Sequence, residues 1–357
     1  MYDKYFTSED DATNANLLLS KKLPTYRQAY SDRTAWIMSV MSELAYIKFN
    51  SLFPESGSTD FIKEHFIKKV NSLVGEQKST IVSTLINKIS YDPTVEKAKL
   101  ESNLDEFQFK LLKTFDDKGT QAILVDAGAY IILSFRGTEA DSLNDIKADT
   151  KANLTKCSVS VGQIHTGFRD SFNYIRRDVE EEINKDEYSK KPLFITGHSL
   201  GGALATVATK FLTHSGGIAA CYTFGSPRVG NDDWVNNIKT PIHRIVNAAD
   251  SVTMLPPGDV SISAISFIFR FIPSVGEPVS KWLSEKFGRY MHAGNMRYLT
   301  NCKLRDFSEV RVLYSVSFTY RIKALIVKSL SFGKLLSDHS ISNYSKKLMI
   351  IAMRRNK

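Results

Sequence analysis

Cysteine is scarce in this chain of 357 residues: there are three, Cys157, Cys221 and Cys302, and they have no paired spacing. An odd, scattered set excludes a disulfide framework as the organising device. Cys221 lies in the apolar run "IAACYTF" and is expected in a core. Long apolar runs are also missing, since no stretch nears the ~20 uninterrupted apolar residues of a membrane span. The N-terminus, "MYDKYFTSEDDATNANLLLS", is polar and acidic and lacks the basic start and apolar run of a secretory signal. The expected location is cytoplasmic as synthesised, with peripheral membrane attachment or signal-less export left open. The seven histidines show no metal-ligand spacing, and neither metal nor cofactor is expected. Internal repeats, low-complexity segments and any signal of oligomeric state are absent.

Acidic residues are rare near the C-terminus. Residues 281–357 hold 16 Lys/Arg and 4 Asp/Glu, a balance of +12, whereas the whole chain carries +9. The basic charge is therefore a C-terminal property. It reads either as a solvated surface or as an attraction to a polyanion. No nucleic-acid-binding motif accompanies it, so an anionic membrane surface is the expected partner and nucleic acid is not.

An apolar content of 43% and a charged content of 24% fit an ordinary globular protein. Residues 1–104 read as a helical extension packing on a core. In "TAWIMSVMSELAYIKFNSLF", Trp36, Val40, Leu44 and Ile47 share a helical face. From 105 to 357 the period changes. "FQFKLLKTF", "QAILVDA" and "AYIILSFRG" read as strands; then the helix "GFRDSFNYIRRDVEEEIN", the strand "LFITG", another helix, and the strands "IAACYTFGS" and "IHRIVNA". Strands alternating with helices imply an α/β domain with a mostly parallel central sheet and helices on both faces.

The stretch "LFITGHSLGGALATVATKFL" sets Ser199 between Gly197 and Gly201, after a strand and before a helix. A strand-to-helix turn this sharp strains the serine backbone and leaves room only for small neighbours. It exposes the hydroxyl beside the positive end of a helix, the arrangement of a nucleophile elbow. A nucleotide-binding turn would want a lysine near the glycines or G-x-G-x-x-G, and neither is present. A serine needs an imidazole base and a carboxylate to orient it, in the order Ser, acid, His for this turn. Asp250, at the end of "IHRIVNAAD", is preferred over Asp232, Asp233 and Asp259. His292 in "YMHAGNM" and His339 in "SDHSISNY" are both open as the base.

Six ordered segments, "IILSFRGTE", "IHTGFRDSF", "ITGHSLGGALA", "TFGSPRVGN", "VNAADSVTMLPP" and "DHSISNY", resemble the class 3 lipases, the fungal-lipase-like branch of the α/β hydrolases. The likeness spans residues 105–357, with insertions near 258–289 and 303–335. It implies an α/β-hydrolase fold with Ser199 as nucleophile, Asp250 as acid and His339 as base, in a setting that includes Asp338 and Tyr344. His292 then corresponds to a non-catalytic histidine of the family and stays as the alternative base. Thr138 and Leu200 are implied as oxyanion donors. His165 and Arg228 are read as bracing residues.

The resemblance also implies a lid near "EADSLNDIKADTKANL", which has few large apolar residues. Two stretches look better suited to a membrane surface: "SISAISFIFRFIPSVG", and "FTYRIKALIVKSL" with Arg321, Lys323 and Lys328 beside an apolar face. The expected function is serine-dependent hydrolysis of carboxylic esters of glycerolipids, by a lipase or phospholipase A. A catalytically silent lipase-like interaction protein and an exported toxin-like phospholipase are the alternatives.

Overall fold

The computed structural model describes residues 9–20, 29–49, 92–137, 154–157, 160–256, 289–302, 306–329 and 338–355. Residues 1–45 and 109–357 form one compact unit, and residues 46–108 form a second. The sequence region 1–104 thus contributes to both. In the second unit the helix α3 (Pro93–Asp105) starts at Asp92, whose carboxylate accepts from Thr94 N–H at 2.8 Å, with Pro93 in the first turn. That is the standard way to satisfy the free amides of a helix start.

The first unit is built on a sheet of eight strands among the described residues. They are β1 (Lys110–Asp117), β2 (Thr120–Asp126), β3 (Ile131–Phe135), β6 (Leu193–His198), β7 (Ile218–Phe224), β8 (Ile242–Asn247), β9 (Asn295–Leu299) and β10 (Val312–Leu313), and they lie side by side in that order. From β3 to β9 every pairing is parallel. β1 and β2 extend one side and β10 the other in antiparallel fashion. β4 (Leu154–Lys156) and β5 (Gln163–His165) form a separate antiparallel pair. The first strand begins at Lys110, not at Phe107. Gln108, at φ 58°, turns the chain between α3 and β1.

Every residue of β3, β6 and β8 is buried, as expected for parallel strands covered on both faces. Strand alternation assigns the two faces. Leu133, Phe135, Leu193, Ile195 and Cys221 join one core with α4 (Thr166–Ile183) and α5 (Leu200–Phe211). On α4, Phe168, Phe172, Ile175, Val179 and Ile183 recur at helical spacing and form its buried stripe.

The intervening residues Ser134 and Thr196 face α2 (Asp32–Leu44). Ser134 Oγ donates to Met41 O at 3.0 Å, and Thr196 Oγ1 lies 2.9 Å from Ser42 Oγ. α2 lies between the sheet and α8 (Ile341–Arg355), and of its residues only Glu43 escapes burial. Its serines are satisfied within this layer: Ser39 Oγ donates to Trp36 O at 2.6 Å and accepts from Ser345 Oγ at 3.1 Å. The result is an α/β sandwich with the C-terminal edge of the parallel strands facing the loops that follow β6, β7 and β8.

Candidate active site

Ser199 sits between β6 and α5 at φ 57° and ψ −126°, a backbone region that ordinary residues avoid. Close approach makes the neighbouring glycines obligatory. A Cβ on Gly197 would lie 2.1 Å from Gly201 O, and one on Gly201 would lie 2.3 Å from Phe135 O. The turn is pinned by Ser199 N–H, which donates to Phe224 O at 2.9 Å, and by Ser199 O, which accepts from Gly202 N–H at 3.0 Å. The hydroxyl does not cap the helix, and Oγ is buried without a hydrogen-bond partner. Leu200 opens α5, half-buried, and its N–H belongs to the helix's first turn, where amides have no intrahelical acceptor.

Asp250 follows β8 and is buried. Its Oδ2 lies 2.9 Å and its Oδ1 3.0 Å from His339 Nδ1. Val252 N–H donates to Oδ1 at 3.0 Å, and Tyr344 Oη donates to Oδ2 at 2.6 Å. A buried carboxylate is tolerable because these donors replace water. Since the carboxylate can only accept, His339 Nδ1 carries the proton and Nε2 carries the lone pair. Nε2 is buried and has no partner. The imidazole lies over Gly225, immediately after the residue to which Ser199 N–H is bonded. A Cβ on Gly225 would sit 3.0 Å from His339 Nδ1 and 2.7 Å from Asp250 Oδ2, and this glycine has φ +60°.

The loop carrying His339 is held from several sides. Asp338 Oδ2 accepts from Ala249 N–H at 3.2 Å, and Asp338 O accepts from Asn247 Nδ2 at 2.9 Å. His198 Nε2 donates to His339 O at 2.6 Å, with the two rings 4.5 Å apart. Burial first, and then the neighbouring His339, push the His198 pKa well below its ordinary value, so this ring is neutral. Burial and the adjacent Asp250 carboxylate push the Tyr344 phenol well upward, which keeps it a donor. Lys347 Nζ, fully buried on α8, donates to Asn247 Oδ1 at 2.7 Å and to Thr300 O at 2.9 Å.

The structure therefore brings Ser199, His339 and Asp250 together at the edge of β6, β7 and β8. It does not bring His292 to Asp250. Burial, followed by the Arg244, Arg228 and Arg321 guanidinium groups, pushes the His292 pKa well down. His165 Nδ1 accepts from Phe168 N–H at 3.3 Å at the start of α4. Arg228 binds the carbonyls of Met254, at 2.6 Å, and Pro256, bracing the loop after Asp250. Thr138, residues 139–153 of the lid sequence and the stretch "SISAISFIFRFIPSVG" lie outside the described residues; the last lid residue, Leu154, opens β4.

The part played by Asn247, Lys347 and His198 was not apparent in the sequence. Tyr344 lies where the motif resemblance set it, five positions after His339 at the start of a helix. Arg321, on α7 (Phe318–Ser329), corrects an expectation. The amphipathic reading set it beside a membrane-facing stripe, yet it is buried and bonds Thr253 Oγ1. The helix turns this cation inward, because the loop after β8 offers it a polar partner there.

A strained serine between a central parallel strand and a helix, beside an Asp–His pair on later loops, is the arrangement of the α/β-hydrolase fold. Within that class, residues 132–260 match the family model described as lipase (class 3), and over that span the resemblance read from the motifs holds. The chain is 35% identical to secreted mono- and diacylglycerol lipase 1 of Fusarium solani over 141 residues, covering 37% of this chain and 41% of that protein. It is 30% identical to the lipase of Rhizomucor miehei over 164 residues, covering 42% and 44% respectively. The chain spans about half the length of the curated relatives it matches. Among solved structures, the native Rhizomucor miehei lipase propeptide complex aligns at 23% identity with a TM-score of 0.46, covering 80% of this chain and 82% of that one. Among the described residues no group of His, Cys, Asp and Glu could hold a metal ion, and no helix is long and apolar enough to cross a membrane.

Proposed function

We propose that the chain is a carboxylic ester hydrolase that acts on glycerolipids through an acyl-enzyme on Ser199. One observation carries this reading: the unengaged Ser199 Oγ, on a strained turn, shares a buried corner with His339, whose Nδ1 is 2.9 Å from Asp250. His339 Nε2 takes the serine proton as Oγ bonds to the ester carbonyl carbon. Asp250 holds the tautomer and stabilises the imidazolium. The oxyanion is met by Leu200 N–H and by Thr138. The protonated His339 then gives its proton to the leaving alkoxide. A water, deprotonated by the same nitrogen, cleaves the acyl-enzyme and restores the hydroxyl.

For the substrate, the activity named for the Fusarium relative supports a glyceride ester. The polar composition of the lid sequence and the basic C-terminus favour a phospholipid or a short-chain ester over bulk triacylglycerol. Peripheral attachment to an anionic membrane fits the +12 balance of residues 281–357, although Arg321 is withdrawn from that surface. A panel of p-nitrophenyl esters and phospholipid vesicles tests the reading. Wild type should hydrolyse them, and Ser199→Ala should lose at least ~10³-fold in kcat. Unchanged hydrolysis by Ser199→Ala contradicts the mechanism. Activity on anionic vesicles that does not fall with salt contradicts electrostatic docking.

A further inference from the structure

Near the loop that carries Asp250, four cationic or imidazole side chains from separate parts of the chain lie within electrostatic reach of one another. Arg244 projects from β8. Arg228 comes from the segment after β7 and bonds the carbonyls of Met254 and Pro256. Arg321 comes from α7 and bonds Thr253 Oγ1. His292 precedes β9, next to Met291, whose N–H donates to Gly230 O at 2.8 Å and so ties it to the Arg228 segment. All three arginines are buried, with exposures of 9% for Arg228, 6% for Arg244 and 4% for Arg321.

The donors of Arg244, Arg321 and His292 are poorly matched. Arg244 Nε and Nη1, Arg321 Nε and both ring nitrogens of His292 are buried without hydrogen-bond partners. The His292 ring meets the Thr253 backbone without a hydrogen bond of ordinary geometry. Among the described residues, no carboxylate forms an ion pair with Arg244 or Arg321. Asp250 acts on Arg321 electrostatically, but its oxygens are already bonded to His339, Tyr344 and Val252. Burial, with Arg321 and Arg228 repelling it, drags the Arg244 guanidinium down to about 9. Buried cations left in this condition cost several kcal/mol unless an anion joins them.

We infer that Arg228, Arg244, Arg321 and His292 form a binding site for a tetrahedral phosphate group, separate from the Ser199 corner. The chemistry selects this ligand. Guanidinium groups recognise phosphate oxygens with paired N–H donors. Donors arriving from β8, α7 and the segment before β9 need acceptors spread in three dimensions. A planar carboxylate offers two oxygens in one plane, and a halide offers a single centre. Thr253 links the site to the acid loop, because its Oγ1 accepts from Arg321 and donates to Asp250 O at 2.8 Å. The phosphate could belong to a free ion or to a lipid headgroup, and the experiment separates the two.

The full chain is melted in inorganic phosphate, in sn-glycero-3-phosphocholine and in sodium chloride, at matched ionic strength. A saturating rise in Tm of roughly 5 °C over chloride is expected with a phosphate compound. A rise with inorganic phosphate alone identifies a free ion, and a rise with the phosphodiester identifies a headgroup. The rise should vanish in Arg244→Gln and in Arg321→Gln. Should either variant fail to fold, broadening of the ³¹P resonance on adding wild-type protein, absent with chloride-exchanged lysozyme as the control, reads the same binding. Equal melting in chloride and both phosphate compounds overturns the inference. So does an undiminished rise in the arginine variants. Fluorophosphonate labelling of Ser199 in the same samples keeps this outcome distinct from the fate of the hydrolase reading.

Discussion

Tyr344 Oη donates to Asp250 Oδ2 at 2.6 Å and accepts from Asn247 N–H at 2.9 Å, so one phenol ties the acid to the end of the strand that carries it. Both groups are buried, and the phenol sits on the first turn of the C-terminal helix. Orientation of the acid therefore depends on α8, which in turn packs on α2.

Tyr344→Phe removes this hydroxyl with little change in volume. The loss should be about 1–3 kcal/mol of stability, since the Asn247 amide loses its acceptor. The kcat for ester hydrolysis should fall while KM changes little, because the phenol acts through Asp250 and does not touch substrate. Urea melts and steady-state kinetics on one ester check both, and a rise in KM at constant kcat would speak against a positioning role.

Lys347→Met tests the other side of the same knot. Asn247 Oδ1 and Thr300 O would each lose a charged donor in the interior. A destabilisation of about 2–4 kcal/mol is expected by chemical denaturation. A cost near zero would mean that the buried ammonium contributes nothing beyond its packing.

Gly225→Ala and Gly217→Ala form a matched pair. Both glycines have positive φ, +60° and +77°, but only at Gly225 would a methyl strike Asp250 and His339; at Gly217 nothing lies within 4 Å. Both should lose about 1 kcal/mol of stability from backbone strain. Only Gly225→Ala should also lose activity, by roughly 10²-fold or more. Parallel thermal melts and ester assays separate strain from displacement of the pair.

Acid should destabilise the fold through His198 and His292. Burial lowers both pKa values in the folded protein, while in the unfolded chain they return to about 6.5. As pH falls below about 6.5 the unfolded state binds protons that the folded state refuses. Stability is therefore fully present above that value and lost below it, by about 1.4 kcal/mol per pH unit for each ring. Tm measured from pH 7.5 to 5 should decline, and His292→Asn should flatten the decline without removing ester hydrolysis. An identical pH slope in His292→Asn would contradict the neutral, buried state assigned to that ring.

The parts of this molecule that were legible in the sequence are those written in local pattern. The nearly continuous apolar run at Ile131–Phe135 and the apolar residues that open Leu193–His198 mark central strands, and the glycines flanking Ser199 announce a turn that only small residues permit. Asp250 was legible because it follows a strand in the right order after the serine. From the residues alone the choice between His292 and His339 stayed open, since both precede ordinary elements and differ in what folds against them; the resemblance to the class 3 lipases pointed to His339. α2 was read as one-sided from Trp36, Val40 and Leu44, yet Ser39 and Ser42 are buried as well. Periodicity cannot show that a helix is covered by a sheet and by a second helix whose hydroxyls match its own. Arg321 was assigned to a surface because arginine usually lies there; its inward course depends on Thr253, 68 positions away in sequence.

The central claim is that Ser199 is activated by His339 and not by His292. A fluorophosphonate probe phosphonylates a serine as its proton passes to the base, forming a phosphorus–oxygen bond while the phosphorus–fluorine bond breaks and fluoride leaves, so labelling followed by peptide mapping reads this activation directly. The expected result is a single adduct on the peptide containing Ser199, formed at a normal rate in His292→Ala and slowed by roughly 10³-fold or more in His339→Ala. An adduct on another residue, or rapid labelling that survives His339→Ala and disappears in His292→Ala, would contradict it.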